Sequence, residues 1–453
     1  TYPNPSQEVL DYTRGTYVVS FGELQQDETE SLVNALESLE GMVYVEPNRV
    51  IHIEPTEHED AQIFNMPDTF PWPFTPNDPM FNQQWNMEIT KANWAWNVST
   101  GEGVKIGFID TGIDPDHEDL EPNIDFEHSY NFRADNTNIN DTYNHGTLVS
   151  GIAAAKIDNA LGVAGFAGNA DICVFKGDVN GGIYPSAAAE ALYYASDSSI
   201  LIINMSFGDY GASETEKNAV NYAWDAGCFI CAGAGNDNKN ASNFYPAAYE
   251  HVMAVGGINS QDERWVKDAS MGSNYGSSVH VFAPSVGVPT TNNDGAYATG
   301  AYGTSMSTPH VAGLAALIWE EYPTWTNQQV WDKIIESADT ITIDKGKVLR
   351  INAMKALDID SVGIAEQPTQ TRGLYPLSLS TIGREITLSY SVPSSTPYTL
   401  SVYDVSGREV HNTSGNLSGA GQITCTPELT QGVYFWQVET EAGEETGKFV
   451  FVR

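Results

Sequence analysis

Basic residues are scarce in this chain of 453 residues: 21 Lys and Arg stand against 59 Asp and Glu, a formal charge of −38. A surface of that sign repels phosphate backbones, which argues against nucleic acid as a partner. Cysteine is scarce too, with four residues. Cys228 and Cys231 have C-x-x-C spacing but lie in an apolar run that reads as a buried strand. Three strand steps hold their Cα atoms about 10 Å apart, beyond disulfide reach. No second such pair completes a zinc site, so buried structural thiols are expected. No apolar run approaches the ~18 residues of a membrane-spanning helix. Thr1-Tyr-Pro-Asn-Pro5 shows no basic-then-apolar leader, so any export signal is expected to lie outside this sequence.

Apolar residues are plentiful. They make up 41% of the chain against 18% charged, a globular balance with material for a large core. The length suggests two or three domains. Residues 1–54 read as a small α+β unit: a strand over 17–21, an amphipathic helix over 28–39 with Leu32, Leu36 and Leu39 on one side, then extended stretches over 42–45 and 50–53. A Pro-rich linker, 55–76, follows. Over 77–360 short apolar runs at 104–109, 172–175, 201–204, 228–231 and 252–255 alternate with helical stretches at 145–155, 186–195, 215–226, 305–321 and 327–337. Strands apolar on both faces need helical crossovers, so the expected fold is α/β, a doubly wound parallel sheet with ligands at the strands' carboxyl ends. Residues 361–453 read as a β-sandwich, with strands including 385–392, 398–404 and 432–439 between turn residues.

Three polar clusters interrupt the α/β framework. Asp110 ends a buried strand, His145 begins a helix in Asn144-His-Gly-Thr147, and Ser305 begins another in Gly303-Thr-Ser-Met-Ser-Thr-Pro-His310. Any one of these alone would be structural; adjacent glycines allow close backbone approach and favour a shared site. A serine hydroxyl is a weak nucleophile and needs a base, which histidine supplies at neutral pH. A buried carboxylate fixes the histidine tautomer and stabilises the imidazolium. A helix N-terminus at Ser305 adds N–H groups where an oxyanion would form.

Ile109-Asp-Thr-Gly-Ile-Asp114, Asn144-His-Gly-Thr-Leu-Val-Ser-Gly151 and Gly303-Thr-Ser-Met-Ser-Thr-Pro-His-Val-Ala-Gly313 resemble the three signatures of subtilisin-like serine proteases, in the family's order. The resemblance covers about residues 75–358 and implies an endopeptidase that works through an acyl-enzyme on Ser305, with an apolar preference. Leu148 departs from the family's second histidine, and Ser307-Thr308 from its usual alanines. By the same resemblance Asn236, in Ala232-Gly-Ala-Gly-Asn236, donates to the oxyanion. Gly233 and Gly235 would shape the substrate-binding turn beside it. Ser206, Phe207 and Gly208 would pair with a peptide as an added strand. Gly182 and Tyr184 would form the opposite edge, with Phe207 and Tyr184 lining the pocket for the fourth residue before the cut. Phe244 would stand at the first specificity pocket: it either fills that pocket, with Asp237 at the rim, or turns outward toward Tyr249.

The resemblance also implies Ca²⁺, held by Asp78, Asp119, the Asn159 side chain and carbonyls of Lys156, Leu161 and Val163. The chemistry suits it, since oxygen ligands with two carboxylates favour a hard cation. The Asn/Asp run 135–141 is a second, weaker cation loop or only a solvated turn. Residues 1–54 resemble the later half of the family's inhibitory propeptide, so the chain's own propeptide is an expected intramolecular inhibitor, with cleavage in the linker. The last ~80 residues resemble the C-terminal sorting domain of the bacterial type IX secretion pathway, on Thr399–Val410, Gly432-Val-Tyr-Phe435 and Lys448–Arg453. They imply a secreted or cell-surface monomer acting on protein or peptide substrates. A structural or polymer-binding sandwich is the alternative for that region. A catalytically silent peptide binder and an adhesin are the rival functions; a lipase would carry Gly-x-Ser-x-Gly, which Ser305 lacks.

Overall fold

The computed structural model describes residues 73–359 throughout, together with residue 33 and the segments 9–11, 17–19, 51–52, 377–382, 385–404, 409–425, 432–440 and 443–451. The chain divides into one unit of residues 1–68 and 73–360 and a second of 69–72 and 361–453.

The first unit is built on nine strands in the order Asp339–Ile343, Gly346–Arg350, Val281–Pro284, Met253–Ile258, Phe229–Gly233, Ile202–Met205, Lys105–Asp110, Asp171–Lys176 and Tyr130–Asn131. Only the first pair is antiparallel; every other neighbour runs parallel. Alternate residues serve opposite faces. Ile172 and Val174 join one core cluster, Cys173 and Phe175 the other. That two-sided demand is why these strands read as unbroken apolar runs. From Lys105–Asp110 the chain builds outward to Asp171–Lys176, then returns to lay Ile202–Met205 on the other side. Such a reversal opens a crevice at the carboxyl end of the strand that Asp110 terminates.

The helices match the expected stretches within a residue or two: His145–Ala154, Pro185–Asp197, Glu214–Asp225, Thr304–Glu321 and Asn327–Ser337. Their starts have local causes. Pro185 occupies the first turn of its helix, Ser213 accepts from the Glu216 amide, and Thr326 with Gln329 forms a capping box. Cys173, Cys228 and Cys231 are free and buried; burial pushes the Cys228 thiol up to about 11.

One feature of this unit was not expected. An antiparallel hairpin, Val286–Asn292 with Ala296–Tyr302, leads directly into the Ser305 helix. In the N-terminal region Val9–Asp11 pairs with Tyr17–Val19, and Ile51–His52 pairs antiparallel with Gly182–Ile183. Val33 is helical; the rest of the expected helix over 28–39, and the stretch 42–45, lie outside the described residues.

The second unit is an antiparallel sheet of five strands. The expected strands 385–392 and 398–404 are two halves of one strand, Glu385–Asp404, with a register shift between Val392 and Thr396. Pro393 and Pro397 at that shift made the sequence look interrupted. Leu400, Val402, Leu417, Trp436 and Val438 are buried within it.

Candidate active site

Asp110 and His145 come together where two backbones nearly touch. Gly112 (φ +110°) turns the chain after Asp110, and a Cβ on Gly146 would stand 2.0 Å from the Gly112 carbonyl oxygen. Only glycine fits such an approach. His145 Nδ1 lies 2.8 Å from Asp110 Oδ1, with the carboxylate fully buried and the ring 1% exposed. Asp110 Oδ1 also accepts from the Thr111 amide at 2.7 Å. Since a carboxylate only accepts, Nδ1 carries the proton and Nε2 is the basic nitrogen. That Nε2 is buried with no hydrogen-bond partner.

Ser305 sits in the first turn of Thr304–Glu321, entered through Gly303 at φ +118°. Pro309, four residues on, cannot donate to the Ser305 carbonyl. Ser206 Oγ donates there instead, at 3.1 Å, and the Ser305 hydroxyl donates to the Ser206 carbonyl at 2.9 Å. The serine therefore rests on the segment expected to bind peptide, leaving Nε2 open. Asn236 Oδ1 is occupied by the Thr304 amide (2.8 Å) and hydroxyl (3.1 Å). This turns its Nδ2 toward Gly303, 3.3 Å from where a Cβ would stand. A donor held this way, at the start of the serine helix, costs no reorganisation when an oxyanion forms.

The Phe244 ring lies in the slot between Gly208 and Gly235. A Cβ on Gly208 would meet Phe244 Cε1 at 2.3 Å, and one on Gly235 (φ +97°) would meet Cε2 at 2.9 Å. Tyr210 packs edge-on against it at 5.1 Å. The outward alternative is not realised: Tyr249 packs on Tyr245 and bonds Ser213. The Arg133 guanidinium lies over Tyr184, Phe207 is buried, and Gly182 is in the central strand, Gly182–Ile183, of a three-stranded sheet. Gly233 ends its strand against Thr304 Oγ1, 3.1 Å from its would-be Cβ. Tyr143, whose ring a Cβ on Gly181 would strike at 2.4 Å, was missed in the sequence, although it stands two residues before His145.

Asp78 and Asp119 form a second buried acidic centre, 4% and 0% exposed. Burial pushes both carboxyls up, Asp119 to about 6, and the Asp78 charge adds to the rise at Asp119. Asp78 Oδ1 has no partner. Asp119 accepts from Asn159 Nδ2 (2.8 Å) and the Val163 amide (3.0 Å), and Asp78 from the Asp158 amide (2.9 Å). Asn159 Oδ1 accepts from the Leu161 amide, so its oxygen faces its own loop. Lys156 turns its ammonium away, to Asn123 Oδ1, while its amide donates to the Asp119 carbonyl. Two buried carboxylates without a counter-charge, beside a loop rich in carbonyls, fit a hard dication. Among the described residues no cluster of three or more His, Cys, Asp or Glu is poised for a metal, so backbone oxygens would have to complete the shell.

In the run 135–141 the side chains of Asp135, Asn136, Asn138 and Asp141 accept from protein donors. Asn136 and Asn138 each accept from the amide two residues on, and Asp135 accepts from the Tyr130 hydroxyl. Asp141 points inward, its oxygens taken by protein donors.

The sequence model described as the subtilase family matches residues 101–361, and that of a secretion system C-terminal sorting domain matches residues 383–452. The chain is 38% identical over 342 residues to a thermophilic serine proteinase of Bacillus sp. (strain AK1), covering 74% of this chain and 78% of that protein. It is 35% identical over 291 residues to thermitase of Thermoactinomyces vulgaris, covering 63% and 99%. Among solved structures, a protease of Pseudoalteromonas arctica PAMC 21717 superposes with a TM-score of 0.58 at 29% identity, over 63% of this chain and 99% of that one.

Proposed function

Because the chain belongs to the subtilase family of serine proteases, we propose that Ser305 attacks the peptide carbonyl of a protein substrate and forms an acyl-enzyme. The chain also carries a secretion sorting domain, and it is a secreted or cell-surface protein. One observation carries the catalytic reading. The His145–Asp110 bond is buried at 2.8 Å with Nε2 left unpaired, and the helix that His145 begins packs against the helix whose first turn carries Ser305.

A peptide pairing along Ser206–Gly208 competes for the Ser206 carbonyl, which frees the Ser305 hydroxyl. His145 Nε2 takes the hydroxyl proton as Oγ bonds to the carbonyl carbon. Asp110 stabilises the imidazolium, and Asn236 Nδ2 with the Ser305 amide holds the oxyanion. His145 then passes the proton to the leaving amine, and the C–N bond breaks. Water, activated by His145, hydrolyses the ester and returns Ser305. All four residues are present, which distinguishes the chain from a silent peptide binder.

The Phe244 ring shortens the first pocket, so small or medium apolar side chains should precede the cut. Asp78, Asp119, the Asn159 side chain and carbonyls of Lys156, Leu161 and Val163 would hold Ca²⁺, which neutralises the buried pair and takes no part in bond making. The pairing of Ile51–His52 with Gly182–Ile183 supports self-inhibition, because it puts the N-terminal segment on the edge a substrate would use. Cleavage beyond it, in the linker, would need the same nucleophile. We take the working form to be a monomer.

Labelling with an active-site serine phosphonylator, followed by peptide mapping, tests the reading. The label should fall on Ser305. Ser305→Ala, made in a protease-free host, should neither label nor hydrolyse peptide, and should keep residue 1. Label at another serine, or a processed variant, would overturn it.

A further inference from the structure

Asp141 lies four residues before His145, 9% exposed. Its Oδ1 accepts from the amides of Tyr143 (2.9 Å) and Asn144 (2.7 Å) and from the Thr111 hydroxyl (2.9 Å). Its Oδ2 accepts from the Thr147 amide at 2.9 Å. Thr147 Oγ1 stands between Asp141 Oδ2 (2.9 Å) and Asn293 Oδ1 (2.7 Å), and its one hydrogen serves either. The residue at the helix N-cap, Asn144, is left-handed (φ +75°) and makes no side-chain cap. The capping of His145–Ala154 has passed to Asp141.

The same carboxylate reaches the other half of the catalytic pair. Thr111, next to Asp110, donates its hydroxyl to Asp141 and accepts from the Gly146 amide at 2.8 Å, next to His145. Its own amide donates to Asp110. Asn293, in the hairpin turn, donates to the Asp141 carbonyl at 3.0 Å, closing the group from outside. The strand end bearing Asp110 and the helix start bearing His145 thus hang on one buried carboxylate that touches neither reacting atom.

We propose that Asp141 is a positioning residue that, through Thr111, sets the spacing and angle between Asp110 and His145; this rests on the protease reading above. Only an acceptor on both oxygens satisfies the arrangement. Asparagine would turn an NH₂ toward the Thr147 amide, leaving that N–H unpaired and tilting the first turn. Displacements of about 1 Å at a reacting pair can cost 10²-fold in rate.

The test compares Asp141→Asn and Thr111→Val with Glu320→Gln in the full chain. Glu320 is a structural counterpart remote from the site: its Oε2 accepts from the Ser99 hydroxyl and the amides of Thr100, Gly101 and Glu102. Turnover is expressed per phosphonylator-titrated site, so unfolded protein does not count. Asp141→Asn should lower kcat roughly 10- to 100-fold with KM held within about threefold. Thr111→Val, which keeps the cap and cuts only the bridge, should lower kcat about tenfold. Glu320→Gln should lower Tm and leave kcat unchanged. Asp141→Asn with reduced Tm but normal kcat per titrated site would make the residue merely structural and overturn the proposal. Should Asp141→Asn fail to fold, normal kcat in Thr111→Val overturns it just as well. A wild-type chain that neither labels nor turns over would refute the protease reading instead, so the two failures stay distinct.

Discussion

Replacing Phe244 by glycine should change which residue the enzyme accepts before the cut. The ring is 8% exposed, wedged between Gly208 and Gly235 and capped by Tyr210. Removing it opens a slot of one phenyl ring between two glycine walls. A substrate phenylalanine that refills the slot regains the burial of an aromatic side chain, about 1.5–3 kcal/mol. At 1.4 kcal/mol per tenfold, the ratio of kcat/KM for Phe over Ala should rise roughly 10- to 100-fold in the variant. The variant should also lose stability, by at most the ~3–5 kcal/mol of a buried Phe truncation, since this slot opens to water. The assay is a peptide series differing only at the residue before the cut, with kcat/KM measured for Phe, Leu, Met and Ala in both proteins. Wild type should favour Ala, Met or Leu. If it already prefers Phe, and Phe244→Gly leaves the ratio where it was, the ring does not occupy the pocket.

Asn236→Ala should lower kcat by roughly 10²–10³ with little change in KM, because the donor acts on the oxyanion alone; an unchanged kcat in stopped-flow turnover would remove Asn236 from the mechanism. The Asp78–Asp119 pair predicts a pH effect that calcium erases. Asp119 is held at about 6, by burial first and Asp78 after it, so the metal-free folded chain binds that proton more tightly than the unfolded chain. Its contribution is full below the ordinary carboxyl value and lost as pH rises through about 6, so Tm in chelator should fall between about pH 4 and 7. Saturating Ca²⁺ binds the ionised pair and should flatten that fall; identical profiles with and without Ca²⁺ would count against the site.

The α/β framework was legible because burial on both faces writes itself into composition. Strands such as Phe229–Gly233, buried at all five positions, cannot afford a polar residue and so stand out from the helices around them. Asp110, His145 and Ser305 stood out for a related reason: Asp110 closes an apolar strand, His145 and Ser305 lie in the first turns of helices, and each meets glycine within two residues. The hairpin 286–302 was not. Its pairing has two register shifts, and Thr290 and Thr291 are fully buried, donating to the carbonyls of Leu148 and Thr147. Polar residues that spend their hydrogen bonds on another helix look, in sequence, like a loop.

Asp141 and Phe244 show what sequence leaves open even inside a recognised site. The run 135–141 offers carboxylates and amides at spacings a cation could use, and composition does not say which way a carboxylate points. Asp141 turns inward because its neighbours supply donors: the amides of its own turn, and a threonine 30 residues earlier. Phe244 is the same problem in apolar form. Its ring can lie inward only because Gly208 and Gly235, brought from two other strand ends, have no Cβ to collide with it. In both cases the direction of the side chain is decided by residues distant in sequence. A single-residue departure from a family pattern therefore reports a specificity change only once its partners across the fold are known.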